Sequence, residues 1–94
     1  MSALVQVNKD KDAVLDYSLD YQLFLESADT LQTSQWTVEG DGGPTIQGQY
    51  ISPKVATVWL VGGTLGKTYK VNNRVTTAGG RTDDNSILVK IVER

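Results

Sequence analysis

The stretch Gly62-Gly63-Thr64-Leu65-Gly66-Lys67-Thr68 ends in a Gly-Lys-Thr triplet, the ending of loops that wrap nucleotide phosphates. Such a loop needs a glycine five residues ahead of Gly66, and Val61 stands there. It also needs a helix to follow, whereas Thr68 to Thr77 alternates like a strand and offers an anion no helix N-terminus. A glycine-rich hairpin turn is the plainer reading. Asp10, Asp12, Asp16 and Asp20 form the densest acidic set, and Asn8-Lys9-Asp10-Lys11-Asp12 resembles the opening of a calcium loop. Ala13 replaces the turn glycine and Leu19 the bidentate glutamate, so a solvated strand face beside a charged hinge fits better. The chain has no histidine and no cysteine, which removes the usual general base, the thiolate nucleophile and the common zinc ligands. Asp83 and Asp84 read as turn formers, because a hairpin tip gives a carboxylate little of the burial that shifts its pKa. These residues predict no enzyme, no cofactor and no metal.

Apolar groups without an obvious place in a core suggest binding instead. Trp59 lies at the parity opposite Val58 and Leu60, and Leu88 and Val92 lie opposite Ile87, Val89 and Ile91. They either cover a sheet edge or meet another subunit. Tyr21, Phe24 and Leu25 divide the same way, as core plug or as anchor.

The elements that position these groups are strands. Leu15, Tyr17, Leu19 and Tyr21 alternate with Asp16, Ser18 and Asp20, the pattern of a half-buried strand. Tyr21 to Glu26 breaks the alternation and predicts one helical turn or an apolar loop across the end of the domain. Leu31 to Val38 is a strand stopped by Gly40-Asp41-Gly42-Gly43-Pro44. Thr45 to Ile51, interrupted by Gly48, predicts a short edge strand. Val55 to Val61 turns Ala56, Val58 and Leu60 inward; Thr68 to Thr77 does so with Tyr69, Val71 and Val75, and the last strand with Ile87, Val89 and Ile91. Arg81-Thr82-Asp83-Asp84 reads as a polar turn ahead of that last strand. Leu4 to Val7, followed by the charged hinge, predicts an N-terminal arm or edge strand within residues 1–12. About seven strands without a helical period predict an all-β, immunoglobulin-like antiparallel sandwich, with a small open barrel as the alternative. Trp36 suits the large ring buried between sheets. Tyr69, just after a glycine turn, suits a tyrosine corner bonded to nearby backbone.

At 94 residues the chain is expected to be one domain, 1–94, burying roughly two thirds of its unfolded surface. Nine basic and eleven acidic residues leave a net charge of −2 with both signs dispersed, which argues against nucleic-acid binding. No run of about 18 apolar residues suggests a membrane span, and no basic region precedes an apolar signal core. Without cysteine, packing and strand pairing must hold the fold.

Asp12 to Asp20, Ser34-Gln35-Trp36-Thr37-Val38 and Ala56 to Thr64 resemble, in that order, the small bacteriophage virion proteins known as fibre–tail adaptors. The likeness continues through Thr68-Tyr69, Thr76 to Asp84 and Val92-Glu93-Arg94, and is weaker over the first dozen residues and from Gly40 to Ser52. It implies a structural protein without enzymatic activity that joins tail fibres to the tail tube or nozzle, located in the virion tail or neck and in the host cytoplasm during assembly. A ring or other multi-copy assembly, contacting neither nucleic acid nor membrane, would follow. Leu4, Val5 and Val7 of the arm, Tyr21, Phe24, outward Trp59 and the Arg81/Asp83 turn are the expected contact residues; for Arg81 and Asp83 a local turn-stabilising pair is an equal reading. The alternatives are a capsid decoration (cement) protein and a host-surface carbohydrate-binding or adhesion module. With only seven aromatic residues, most at core parity, the chain offers a poor platform for sugars.

Overall fold

The computed structural model describes residues 4–22, 25 and 28–93, the side chains of Leu4 and Val5 excepted. Seven strands run in chain order: β1 Leu4–Asp10, β2 Val14–Asp20, β3 Leu31–Glu39, β4 Thr45–Ile51, β5 Val55–Val61, β6 Thr68–Thr77 and β7 Thr82–Val92. They form a sandwich of two sheets, one ordered β1-β7-β6-β3 and the other β2-β5-β4. Every pairing is antiparallel except β1 with β7, which is parallel. This is immunoglobulin-type connectivity in which the first strand joins the sheet of the last. β1 is thus an edge strand.

Period-two alternation decides what lies between the sheets. Ala56, Val58 and Leu60 of β5 face Tyr69, Val71 and Val75 of β6 and Ile87, Val89 and Ile91 of β7, all buried. Full burial of one such Val, Leu or Ile side chain is worth about 1.5–3 kcal/mol. Trp36, 3% exposed, fills the expected position between the sheets. Its indole Nε1 has no hydrogen-bond partner among the described residues, an exception to the usual pairing of buried polar groups.

Two local expectations change. Tyr69 makes no tyrosine corner: its hydroxyl donates across to Asp41 O at 3.3 Å, in the loop between β3 and β4. Glycines let that loop approach the ring, since a Cβ at Gly43 would sit 3.0 Å from the Tyr69 ring. The polar turn at Arg81 to Asp84 is shorter than expected. The hairpin reverses at Ala78-Gly79-Gly80, with Gly80 at φ 90°, and Thr77 N–H already bonds Arg81 O at 2.8 Å. Asp83 and Asp84 therefore lie in β7, paired with Val75 and Arg74.

The end of the core nearest that hairpin also holds polar groups. Asn73, Thr77, Asp83 and Asn85 all occupy inward positions and are buried. Tyr21 leaves β2 to enter this region, donating its hydroxyl to Asn73 Oδ1 at 2.6 Å. Leu25 N–H bonds Tyr21 O at 3.0 Å, and both side chains are buried. At the opposite end Lys9 turns inward, wholly buried, and binds backbone carbonyls of Asp10, Ala13 and Gly62.

Candidate functional site

The two outer faces of the sandwich differ in chemistry. On the three-stranded sheet, Trp59 projects outward from β5 with Asp16 of β2 on one side and Gly48 of β4 on the other. The register breaks between Ile46 and Gly48, a bulge that twists the edge. Tyr50 folds its ring back over Gly48, where an added Cβ would meet Tyr50 Oη at 3.0 Å. Tyr50 is 61% exposed and lines a shallow depression with Gln47, Gly48 and Trp59. Val14 and Val61 extend the apolar strip toward the other end, and Asp16 and Asp20 border it along β2. An aromatic centre with an acidic margin can hold a protein partner: the rings supply desolvation area and the carboxylates select basic groups.

The outer face of the four-stranded sheet is a polar lattice. Asn72 Nδ2 donates to Glu39 Oε2 at 2.6 Å, and Ser86 Oγ donates to Asn72 Oδ1 at 2.6 Å. Arg74 grips Asp84 with two bonds of 2.7 and 3.0 Å. Gln35, Thr37 and Lys70 complete the lining of a wide depression there. These groups largely satisfy one another, so the face has less to gain from a partner than the aromatic one.

The residues expected to make contacts are scattered. Leu4, Val5 and Val7 lie in β1 against β7, with Val7 packed on the core. Tyr21 is a core residue, 3% exposed, and Phe24 lies outside the described residues. Trp59 faces outward as its parity predicts. Arg81 is exposed after the hairpin, its N–H bonded to Thr77 Oγ1 at 3.0 Å. Asp83 is 6% exposed and bonds Asn85 Nδ2 at 3.0 Å, so little of it can reach another molecule. Sequence reasoning overlooked Tyr50, Ile51, Val14, Leu15 and Leu65, the large apolar groups most open to solvent among the described residues. Tyr50 lies two residues from Gly48 in an edge strand, and the structure puts it on the same side as Trp59.

Asp29 holds the loop before β3 to the β6–β7 hairpin. Its carboxylate accepts the N–H groups of Thr30 and Gly79, each at 2.9 Å. A side-chain hydrogen bond with Thr77, followed by these backbone bonds, holds its pKa below the ordinary carboxylate value, and the Arg74 hydrogen bond does the same for Asp84. A pKa lower in the folded state means that the unfolded chain binds more protons as pH falls, so this stabilisation is complete above about pH 5 and disappears through the acid range. Thermal melts between neutral pH and about pH 3 should show a fall in Tm that Asp29→Asn and Asp84→Asn each make shallower. An unchanged slope in both variants would assign the acid sensitivity to other carboxylates.

A small immunoglobulin-like sandwich, with a self-satisfied polar face and an aromatic face bordered by acids, belongs among the all-β modules that act through their surfaces. Residues 9–90 match the family model described as podophage GP4 fiber-tail adaptor protein gp77, and the chain belongs to that family. No curated protein matches the chain. Among solved structures, the 2,6-sialyltransferase of the Vibrionaceae bacterium Photobacterium sp. JT-ISH-224, described in a ternary complex with CMP and lactose, superposes with a TM-score of 0.62 at 10% identity. The match covers 99% of this chain and 18% of the sialyltransferase, and the likeness is one of fold alone.

Proposed function

We propose that this chain is a structural protein of the podophage virion, without enzymatic activity, that joins tail fibres to the tail tube or nozzle by protein–protein contact. Membership of the fibre–tail adaptor family over residues 9–90 is the observation that carries the reading. The aromatic face gives it a physical means: Trp59 and Tyr50 are the residue types that dominate binding energy when a partner excludes water around them. Several copies about the tail axis would multiply modest contacts into a durable joint. The protein works in the tail region of the particle after assembly in the host cytoplasm, with neither nucleic acid nor membrane as a partner. Val7 of β1 and Arg81 after the hairpin are secondary contact candidates, as are Leu4, Val5 and Phe24.

The test is the protein's copy number in purified particles by mass spectrometry, normalised to portal and major capsid protein. On the order of ten copies supports an adaptor; hundreds would mean a capsid decoration protein, and absence would end both readings. The double variant Trp59→Ala/Tyr50→Ala is expected to fold and to bind its partner more weakly by about 2 kcal/mol or more, roughly thirty-fold in Kd. Competition between variant and wild type for incorporation into particles would read this directly. Equal incorporation would move the contact surface off this face.

A further inference from the structure

The sandwich has four strand edges, and three of them are guarded. The register of β4 breaks at its bulge, and the strand contains Gly48. That of β3 breaks between Leu31 and Thr33, and its Trp36 N–H is taken by Gln49 Oε1 at 3.2 Å. In β1 a lysine, Lys9, points inward. Bulges, capped amides and inward charges are devices that stop an edge from accepting another strand. By contrast, β2 pairs with β5 from Val14 to Asp20 without a break and contains neither glycine nor proline.

Its open side is ready for pairing. Tyr21, next after β2, donates its N–H to Lys54 O at 2.8 Å. Backbone groups alternate sides along a strand, so Leu19, Tyr17 and Leu15 bond toward β5. Val14, Asp16, Ser18 and Asp20 present N–H and C=O to the open edge. Leu15, Tyr17 and Leu19 stand opposite Leu60, Val58 and Ala56, which are fully buried. Yet Leu15 is 38% exposed and Tyr17 and Leu19 only half-buried, since among the described residues no strand pairs with β2 on that side. Asp16 and Asp20 occupy the outer face of the same strand.

We propose that the β2 edge is a docking strand for an extended segment of a partner protein in which apolar residues alternate with lysine or arginine. The apolar residues would cover Leu15, Tyr17 and Leu19, and the basic ones would lie beside Asp16 and Asp20. A second copy of this chain is a poor occupant: with both apolar faces turned to the core, β2 against β2 places Asp16 and Asp20 of both copies on one face. The proposal rests on the adaptor reading for the source of the segment. The two are tested separately, the adaptor by copy number in particles and the edge on the isolated full chain.

The probe is a blocked peptide as long as β2, alternating valine with lysine; its control alternates valine with glutamate. Amide exchange at Asp16, Ser18 and Asp20 is expected to slow about tenfold or more at saturating lysine peptide and not with the control. Ser18→Pro, which removes a backbone donor only from the open edge along with the side-chain bond to Thr57 Oγ1, should abolish the protection, and its melting curve reports whether the domain still folds. Leu15→Lys provides a second block by adding an inward charge at an already open position. Replacing Asp16 and Asp20 by lysine should reverse the preference between the peptides. Four results would overturn the proposal: no protection, equal protection by both peptides, protection of β4 instead, or a β2-mediated dimer without peptide.

Discussion

Lys9→Met is expected to destabilise the domain by about 3 kcal/mol and to lower Tm by roughly 15 °C, since 1 kcal/mol corresponds to roughly 4–8 °C in a domain of this size. The ammonium has three N–H donors, and three carbonyls receive them: Asp10 O at 3.0 Å, Gly62 O at 2.8 Å and Ala13 O. Gly62 follows β5 and Ala13 precedes β2, so one side chain in the four-stranded sheet binds the end of the other sheet. Burial costs the ammonium its hydration and lowers its pKa, while nearby Asp10 and then Asp12 oppose that shift. Methionine keeps the length and volume of the stem, so the variant opens no large cavity. It leaves three partly buried carbonyls without their donor, each costing up to about 1–3 kcal/mol unless water replaces it. A Tm within a few degrees of wild type would mean that water reaches this site readily and that Lys9 contributes little to joining the sheets.

Lys9 also marks a boundary of what sequence can show. Alternation placed β5 at Val55–Val61 and β6 at Thr68–Thr77, the bounds observed, because both strands carry apolar side chains at every second position. It also sent Trp59 outward, while the fold class placed Trp36 between the sheets. The same logic treats a lysine among aspartates as a solvated hinge, since the carbonyls that receive Lys9 come from residues 4 and 53 positions away as well as from its neighbour. Polar residues at inward parity, Asn73, Asp83 and Asn85, are misleading for the same reason. Each looks exposed until its surroundings in the folded domain are known, and Asp83 accordingly reads in the sequence as a turn residue and a contact. On the aromatic face Trp59 was legible by parity alone. Tyr50 was not, because Gly48 and the adjoining bulge interrupt the alternation that would have placed both rings together.

The polar groups within the core give the other large expected effect. Asn73→Ala should destabilise the domain by about 3 kcal/mol, as a small cavity adds to several lost hydrogen bonds. Asn73 is fully buried; its Oδ1 accepts the Tyr21 hydroxyl at 2.6 Å, and its Nδ2 donates to Ser34 Oγ at 2.8 Å and Gln35 O at 3.3 Å. One amide thus links β6, β3 and the segment leaving β2. Burial pushes the Tyr21 phenol pKa up, a hydrogen bond with Asn85 pulling the other way, which favours the neutral hydroxyl as donor. Tyr21→Phe alone should cost about 1–2 kcal/mol, and the double variant should fall short of the sum by about 1 kcal/mol, the signature of a shared bond. Exchange of the Leu25 amide, which bonds Tyr21 O at 3.0 Å, should quicken in Asn73→Ala beyond what global destabilisation accounts for. Strict additivity in the cycle, or Leu25 exchange that tracks global stability alone, would show that apolar packing of Tyr21 and Leu25, rather than the Asn73 amide, holds that end of the sandwich closed.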